Sequence, residues 1–212
     1  MMIKVKVCGL NNPLNVKEIS DCGVDFTGFI FYQDSKRYVG RTPDKTLFSN
    51  VPEGIKRIGV FVDEQPSKVL ELSKYAGLDI IQLHGNESVD YCKSLKAAGL
   101  LIIKTFSISS GFDLCITDRF SGVCDYFLFD TKQKIYGGSG NKFDWRILGD
   151  YCFKKPFFLS GGIGPEDTNI NASVLNDKLF GIDINSRFEV SPGIKDVAGV
   201  RSFINKIKRN VI

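Results

Sequence analysis

One histidine stands in 212 residues, and the six cysteines contain no C-x-x-C pair. Structural zinc sites draw on clustered Cys and His ligands, so this chain has little with which to build one. Proline is scarce, and no apolar run approaches the roughly 20 residues that span a bilayer. The run Leu100-Leu101-Ile102-Ile103 stops at Lys104. The N-terminus, MMIKVKVCGL, alternates charged and apolar residues and lacks the continuous apolar core of a signal peptide. These absences predict a cytoplasmic protein with free thiols, no metal and no membrane contact. No charge of one sign dominates either. Against 28 Lys and Arg stand 24 Asp and Glu, a net +4 too even to argue for nucleic acid. The basic stretch from Lys206 to Arg209 fits a solvated last helical turn.

What is present describes a globular chain. With 17 Phe and 7 Tyr it is too aromatic for a solvated coil. Its length predicts one domain over residues 1–212. Short runs rich in β-branched and aromatic residues begin near positions 3, 25, 57, 79, 100, 125, 157 and 180. Several are apolar on both faces, as strands buried in a parallel sheet are. Helical signals lie between them: Asn12-Pro13 to Gly23, a start at Thr42-Pro43, Pro66 to Gly77, Glu87 to Gly99, Pro165 to Asp177 and Ile194 to Arg209. The stretch from Ser107 to Cys124 is poor in helical periodicity, so the fifth crossover reads as irregular. Eight alternations without a linker predict an α/β fold, a (β/α)8 TIM barrel, over a doubly wound open sheet.

In such barrels chemistry sits at the C-terminal strand ends. The first strand closes on Cys8, the fourth on Gln82 with His84 beyond, the sixth on Asp130 and the eighth on Asp183. Lys36 and Arg37 lie in the loop after the second. The seventh runs into a glycine-rich turn containing Gly162, and the eighth into Ser186 and Arg187. Turns at these two places bind phosphate in barrels, because glycine lets backbone N–H groups approach the oxygens. A second glycine-rich loop at 136–140, with Gly138, is placed to close over the same ligand. Alone, Cys8 reads as a small core residue, Asp130 as a loop cap and His84 as a turn residue. Together on one barrel face, Cys8 and Asp130 suit a carbon base and a proton donor. Arg37 offers a planar fork for a carboxylate.

At these residues the chain resembles the phosphoribosylanthranilate isomerase family. The resemblance rests on KVCGL at 6–10, GFIFYQDSKRYV at 28–39, GVFVDE at 59–64, IQLHGNE at 81–87, FLFDT at 127–131, GGSGNKFDW at 137–145, LSGGI at 159–163 and SPGIKD at 191–196. It implies a cofactor-independent Amadori rearrangement of a small phosphosugar–anthranilate substrate. It implies Asp130 as general acid, Cys8 as general base and Arg37 as the carboxylate holder. It places Gln82, His84 and Asp183 at the substrate mouth, and Gly138, Gly162, Ser186 and Arg187 in the phosphate loops. Arg187 departs from the pattern, which usually has glycine there. A positive φ would strain an arginine; a different turn would leave its guanidinium free to add a phosphate contact.

Three other readings fit parts of the pattern. A metal-using epimerase would want paired His and Asp ligands, and there is one His. An indole-glycerol-phosphate synthase-like lyase would want a strand-end lysine, for which Lys104 is the candidate. A non-catalytic phosphate binder would keep the glycine loops and lose Cys8 or Asp130, yet both are present.

Overall fold

The computed structural model describes residues 3–109, 111–131, 142–170, 174 and 176–209. Eight parallel strands close into a barrel: β1 (Lys4–Val7), β2 (Phe26–Ile30), β3 (Lys56–Phe61), β4 (Ile80–Leu83), β5 (Leu101–Ile108), β6 (Tyr126–Thr131), β7 (Phe157–Leu159) and β8 (Leu179–Ile184). Each strand pairs with its sequence neighbour, and β8 returns to β1. The predicted (β/α)8 architecture holds.

Alternation along the strands sorts side chains between two cores. Phe26, Ile58, Ile80, Ile103, Leu128 and Phe158 fill the barrel interior, with Phe26 and Phe158 edge to face at 5.4 Å. A larger cluster, including Val5, Val7, Phe29, Ile81, Ile102, Phe127 and Phe129, packs between strands and helices. Two residues beyond the interior layer the inward positions become polar. Gln82 follows Ile80, Thr105 follows Ile103, Asp130 follows Leu128 and Ser160 follows Phe158. The floor of the barrel is therefore apolar and its upper end is built for chemistry.

The helices show where local signals hold and where they yield. Helix α1 (Pro13–Ser20) starts as expected: Asn12 accepts from the Asn15 N–H at 3.0 Å, and Pro13 takes the first turn. Helix α3 (Pro66–Ala76) ends at Gly77 in the left-handed region. Three expectations need correction. The start at Thr42-Pro43 yields only a four-residue helix, α2 (Thr46–Ser49). Helix α4 (Val89–Ala97) begins later than Glu87, because the Ser88 side chain accepts from the Tyr91 N–H and sets the cap. The last helix, α5 (Val197–Arg209), does not reach back to Ile194. Ile194–Lys195 is instead strand β10, paired antiparallel with β9 (Glu189–Ser191). Asp196 Oδ1 accepts from the Gly199 N–H at 3.1 Å, which starts the helix beyond the hairpin.

The fifth crossover is irregular, as expected: a 3-10 helix over Leu114–Phe120 carries it. A second 3-10 helix, Trp145–Asp150, lies in the sixth. The helix expected over 165–177 does not start at Pro165, since residues 165–169 are turn and irregular backbone, and part of the remainder falls outside the described residues. All six cysteines are free thiols, four of them buried. No helix among the described residues is long and apolar enough to cross a membrane.

Candidate active site

A cavity of about 310 Å³ opens at the C-terminal ends of the strands. Its lining gathers Cys8, Arg37, Gln82, His84, Asp130, Asp183, Gly162, Ser186 and Arg187. The site residues expected from the sequence thus converge from β1, β2, β4, β6, β7 and β8. Gly138 lies outside the described residues, with the rest of its loop.

Cys8 and Arg37 come together because two glycines make room. Gly9 has φ +76°, and a Cβ there would lie 2.6 Å from Arg37 Cδ and 2.8 Å from Asn185 Oδ1. A Cβ on Gly28 would come within 2.9 Å of Cys8 Sγ. The glycines of KVCGL and GFIF are therefore structural conditions for placing the thiol and the guanidinium. Burial pushes the Cys8 thiol up; Lys6 and Lys195 pull it back down, and Asp183 pushes it higher.

Arg37 is buried and held in a bidentate pair by Glu189, with Nε–Oε1 at 2.7 Å and Nη2–Oε2 at 2.6 Å. The Glu189 hydrogen bonds hold the guanidinium above its ordinary value against burial. This refines the expected fork. One edge serves Glu189, and the Nη1–Nη2 edge remains for a second carboxylate. Lys195 completes the support, donating to Glu189 Oε1 at 2.7 Å and to Asn185 Oδ1 at 2.6 Å. Burial pushes the Lys195 ammonium down to about 8, with Glu189 opposing. Burial raises Glu189 in turn, but Arg37 and Lys195 together bring it below the usual carboxylate range.

Across the cavity, His84 Nε2 lies 3.3 Å from Asp130 Oδ2. Gln82 Nε2 sits 3.1 Å from His84 Nδ1. The tautomer with its hydrogen on Nε2 lets Nδ1 accept from Gln82 and Nε2 donate to Asp130. Asp130 Oδ1 accepts from the Thr131 N–H at 2.8 Å. Gly161 approaches this pair closely: at φ +90°, a Cβ on it would stand 2.9 Å from Asp130 Oδ1. The loop carrying His84 is pinned from behind. Glu87 accepts from the Gly85 N–H, while Lys104 pairs with Glu87 at 2.8 Å and donates to the Gly85 carbonyl at 2.8 Å. Lys104 is thus a structural brace outside the cavity lining, which removes the lysine that a lyase reading needed.

Two buried acceptors in the cavity wall, Gln82 Oε1 and Asp183 Oδ1, have no hydrogen-bond partner among the described residues. Buried acceptors are normally satisfied, so these suit a ligand rich in hydroxyl donors. The loops after β7 and β8 stand side by side, since Arg187 Nη2 reaches Glu166 Oε1 at 2.8 Å. Arg187 sits in a 3-10 turn, Ser186–Phe188, and among the described residues Asp63 is the one non-glycine residue with positive φ. The turn therefore accepts arginine without backbone strain. Sequence reasoning missed Lys6, Glu189 and Lys195. A signal for Lys6 existed: it stands two residues before Cys8 and so shares its inward face.

Comparisons with known proteins agree with this geometry. The profile of the N-(5'phosphoribosyl)anthranilate (PRA) isomerase family matches residues 5–206. An N-(5'-phosphoribosyl)anthranilate isomerase of Phocaeicola vulgatus is 45% identical over 207 residues, covering 98% of each chain. The crystal structure of the Thermotoga maritima phosphoribosyl anthranilate isomerase superposes with a TM-score of 0.88 at 34% identity, over 98% of this chain and 100% of that one. A phosphoribosyl anthranilate isomerase in complex with reduced 1-(o-carboxyphenylamino)-1-deoxyribulose 5-phosphate superposes at 0.83 with 31% identity, again over 98% and 100%. The chain belongs to the N-(5'-phosphoribosyl)anthranilate isomerase family.

Proposed function

We propose that this protein converts N-(5'-phosphoribosyl)anthranilate into 1-(2-carboxyphenylamino)-1-deoxyribulose 5-phosphate, an aldose–ketose isomerisation in tryptophan biosynthesis. One observation carries the reading. A single barrel-end cavity gathers a thiol, a carboxyl group, a braced guanidinium and two turns of the phosphate-binding kind. The reaction needs each of these.

The carboxylate of the anthranilate ring binds the free edge of Arg37. The phosphate binds at the other end of the substrate, against Gly162, Ser186 and Arg187. Asp130 gives its proton to the ribose ring oxygen, and the C1–O bond breaks to leave a protonated imine. Cys8, as thiolate, takes the proton from C2, which the imine has acidified, and an enolamine forms. Tautomerisation gives the ketone. Gln82 Oε1 and Asp183 Oδ1 accept from sugar hydroxyls as the chain opens. His84 orients Asp130. No cofactor enters these steps. Residues 1–212 act as one barrel domain. Because substrate and product are charged phosphate esters that do not cross membranes, the reading also places the protein in the cytoplasm.

The test is turnover of freshly prepared phosphoribosylanthranilate, followed by loss of its fluorescence. Conversion is expected; a purified, folded protein that leaves the signal unchanged would overturn the assignment. Arg187 offers a finer check. Its contact with Glu166 competes with any phosphate contact, and the side chain is partly exposed. Arg187→Gly is expected to raise KM about three- to tenfold, below what a buried charge-assisted hydrogen bond yields, and to leave kcat nearly unchanged. An unchanged or lower KM would remove Arg187 from the phosphate site.

A further inference from the structure

The least expected group in the barrel is Lys6, whose side chain is 0% exposed. A buried ammonium is costly, and a well-packed apolar residue would often serve stability better. Its position explains its presence. The closure of β8 on β1 sets Lys6 in register with Asp183. Lys6 Nζ donates to Asp183 Oδ2 at 2.9 Å. Cys8 follows two residues along the same strand face, and the Lys6 charge opposes the rise that burial imposes on its thiol. The ammonium therefore pairs with one residue of the cavity wall, Asp183, and shares a strand face with another, Cys8.

We propose that Lys6 is the positioning residue that sets the charge state of Cys8, acting as counter-ion to the thiolate while Asp183 holds it in place. The proposal rests on Cys8 as the base that removes the C2 proton. Burial raises both Cys8 and Asp183, and Lys6 opposes both shifts. Burial alone would lower Lys6, but Asp183 and Cys8 hold it above its ordinary value, so it stays charged while the thiol titrates. The other charges facing the sulfur are Lys195, which helps Lys6, and Asp183, which works against it. Arg37 lies on the same side, with much of its charge committed to Glu189. The carboxylate that positions Lys6 thus also restrains the thiolate. This arrangement predicts opposite signs for the loss of its two members.

The test measures the thiol directly. Alkylation of Cys8 by iodoacetamide is followed against pH, with peptide mapping to separate it from the other cysteines. Lys6→Met is expected to move the inflection up by at least about one pH unit, the low end for losing an opposite charge at contact. Asp183→Asn is expected to move it down. The rising limb of the kcat/KM profile should shift up with Lys6→Met, beyond any change in KM. A Lys6→Met profile that overlays the parent, or one whose inflection moves down, overturns the proposal. If Lys6→Met fails to fold by circular dichroism, Lys6→Gln, which removes the charge and keeps a polar side chain, decides instead, and an unchanged inflection refutes the proposal. Failure of the base assignment would look different: Cys8→Ala would retain turnover whatever the alkylation profile shows.

Discussion

Cys8→Ala is expected to lower kcat at least about 100-fold, and Asp130→Asn to do the same, the low end for removing a general acid or base. The two losses arise at different steps. Asparagine has the shape of the carboxyl group but no acidic proton, so the ribose ring stays closed. Alanine leaves the ring-opened imine without a base at C2. Neither side chain is the main anchor for the carboxylate or the phosphate in the proposed pose, so KM should change far less than kcat. Steady-state fluorescence decay over a range of substrate concentrations separates the two parameters. Full activity in either variant would overturn that residue's role. A large rise in KM at unchanged kcat would turn it into a binding residue.

The second large effect concerns a residue that touches no reacting atom. Glu189→Ala is expected to destabilise the fold by about 3–5 kcal/mol, the usual cost of removing one partner from a buried ion pair. Among the described residues Glu189 is the one carboxylate bonded to both the Arg37 guanidinium and the Lys195 ammonium, and its side chain is 6% exposed. Without it, two cations face each other with little water between them. Urea denaturation at pH 7 gives the magnitude. A loss under about 1 kcal/mol would mean that solvent or a shifted loop screens the pair. Variants that survive should also show a raised KM, because the guanidinium loses the brace that aims its free edge. Lys195 adds a pH signature to the parent protein. Its folded value, about 8, lies below the ordinary 10.5. The unfolded chain thus binds more protons between these values, so this lysine's contribution to stability rises with pH across that window.

Much of the architecture was legible because its cause is local. Strand and helix periodicity, and glycine or asparagine at element ends, are properties of neighbouring residues. Eight alternations leave few ways to bury every strand on both faces. The strand-end rule then located Cys8, Gln82, Asp130 and Asp183 on one rim. Local signals failed where two of them competed. The helical period around Ile194 continued smoothly into the last helix, yet Ile194 and Lys195 pair with β9 and the cap at Asp196 decides the boundary. At Thr42-Pro43 a favourable start lacked enough amphipathic sequence behind it, and four helical residues remain.

By itself, then, the sequence determined the barrel, the order of its parts and the identity of the groups at its mouth. Only the tertiary structure decided how those groups are supported. Lys6 meets Asp183 across 177 residues because β8 closes on β1 in register. Glu189 reaches Arg37 across 152 residues, from a hairpin that no periodicity announced. Side-chain charge is written in the sequence, but the cost of burying it depends on what the closed barrel brings within 3 Å, and that distance exists only after folding.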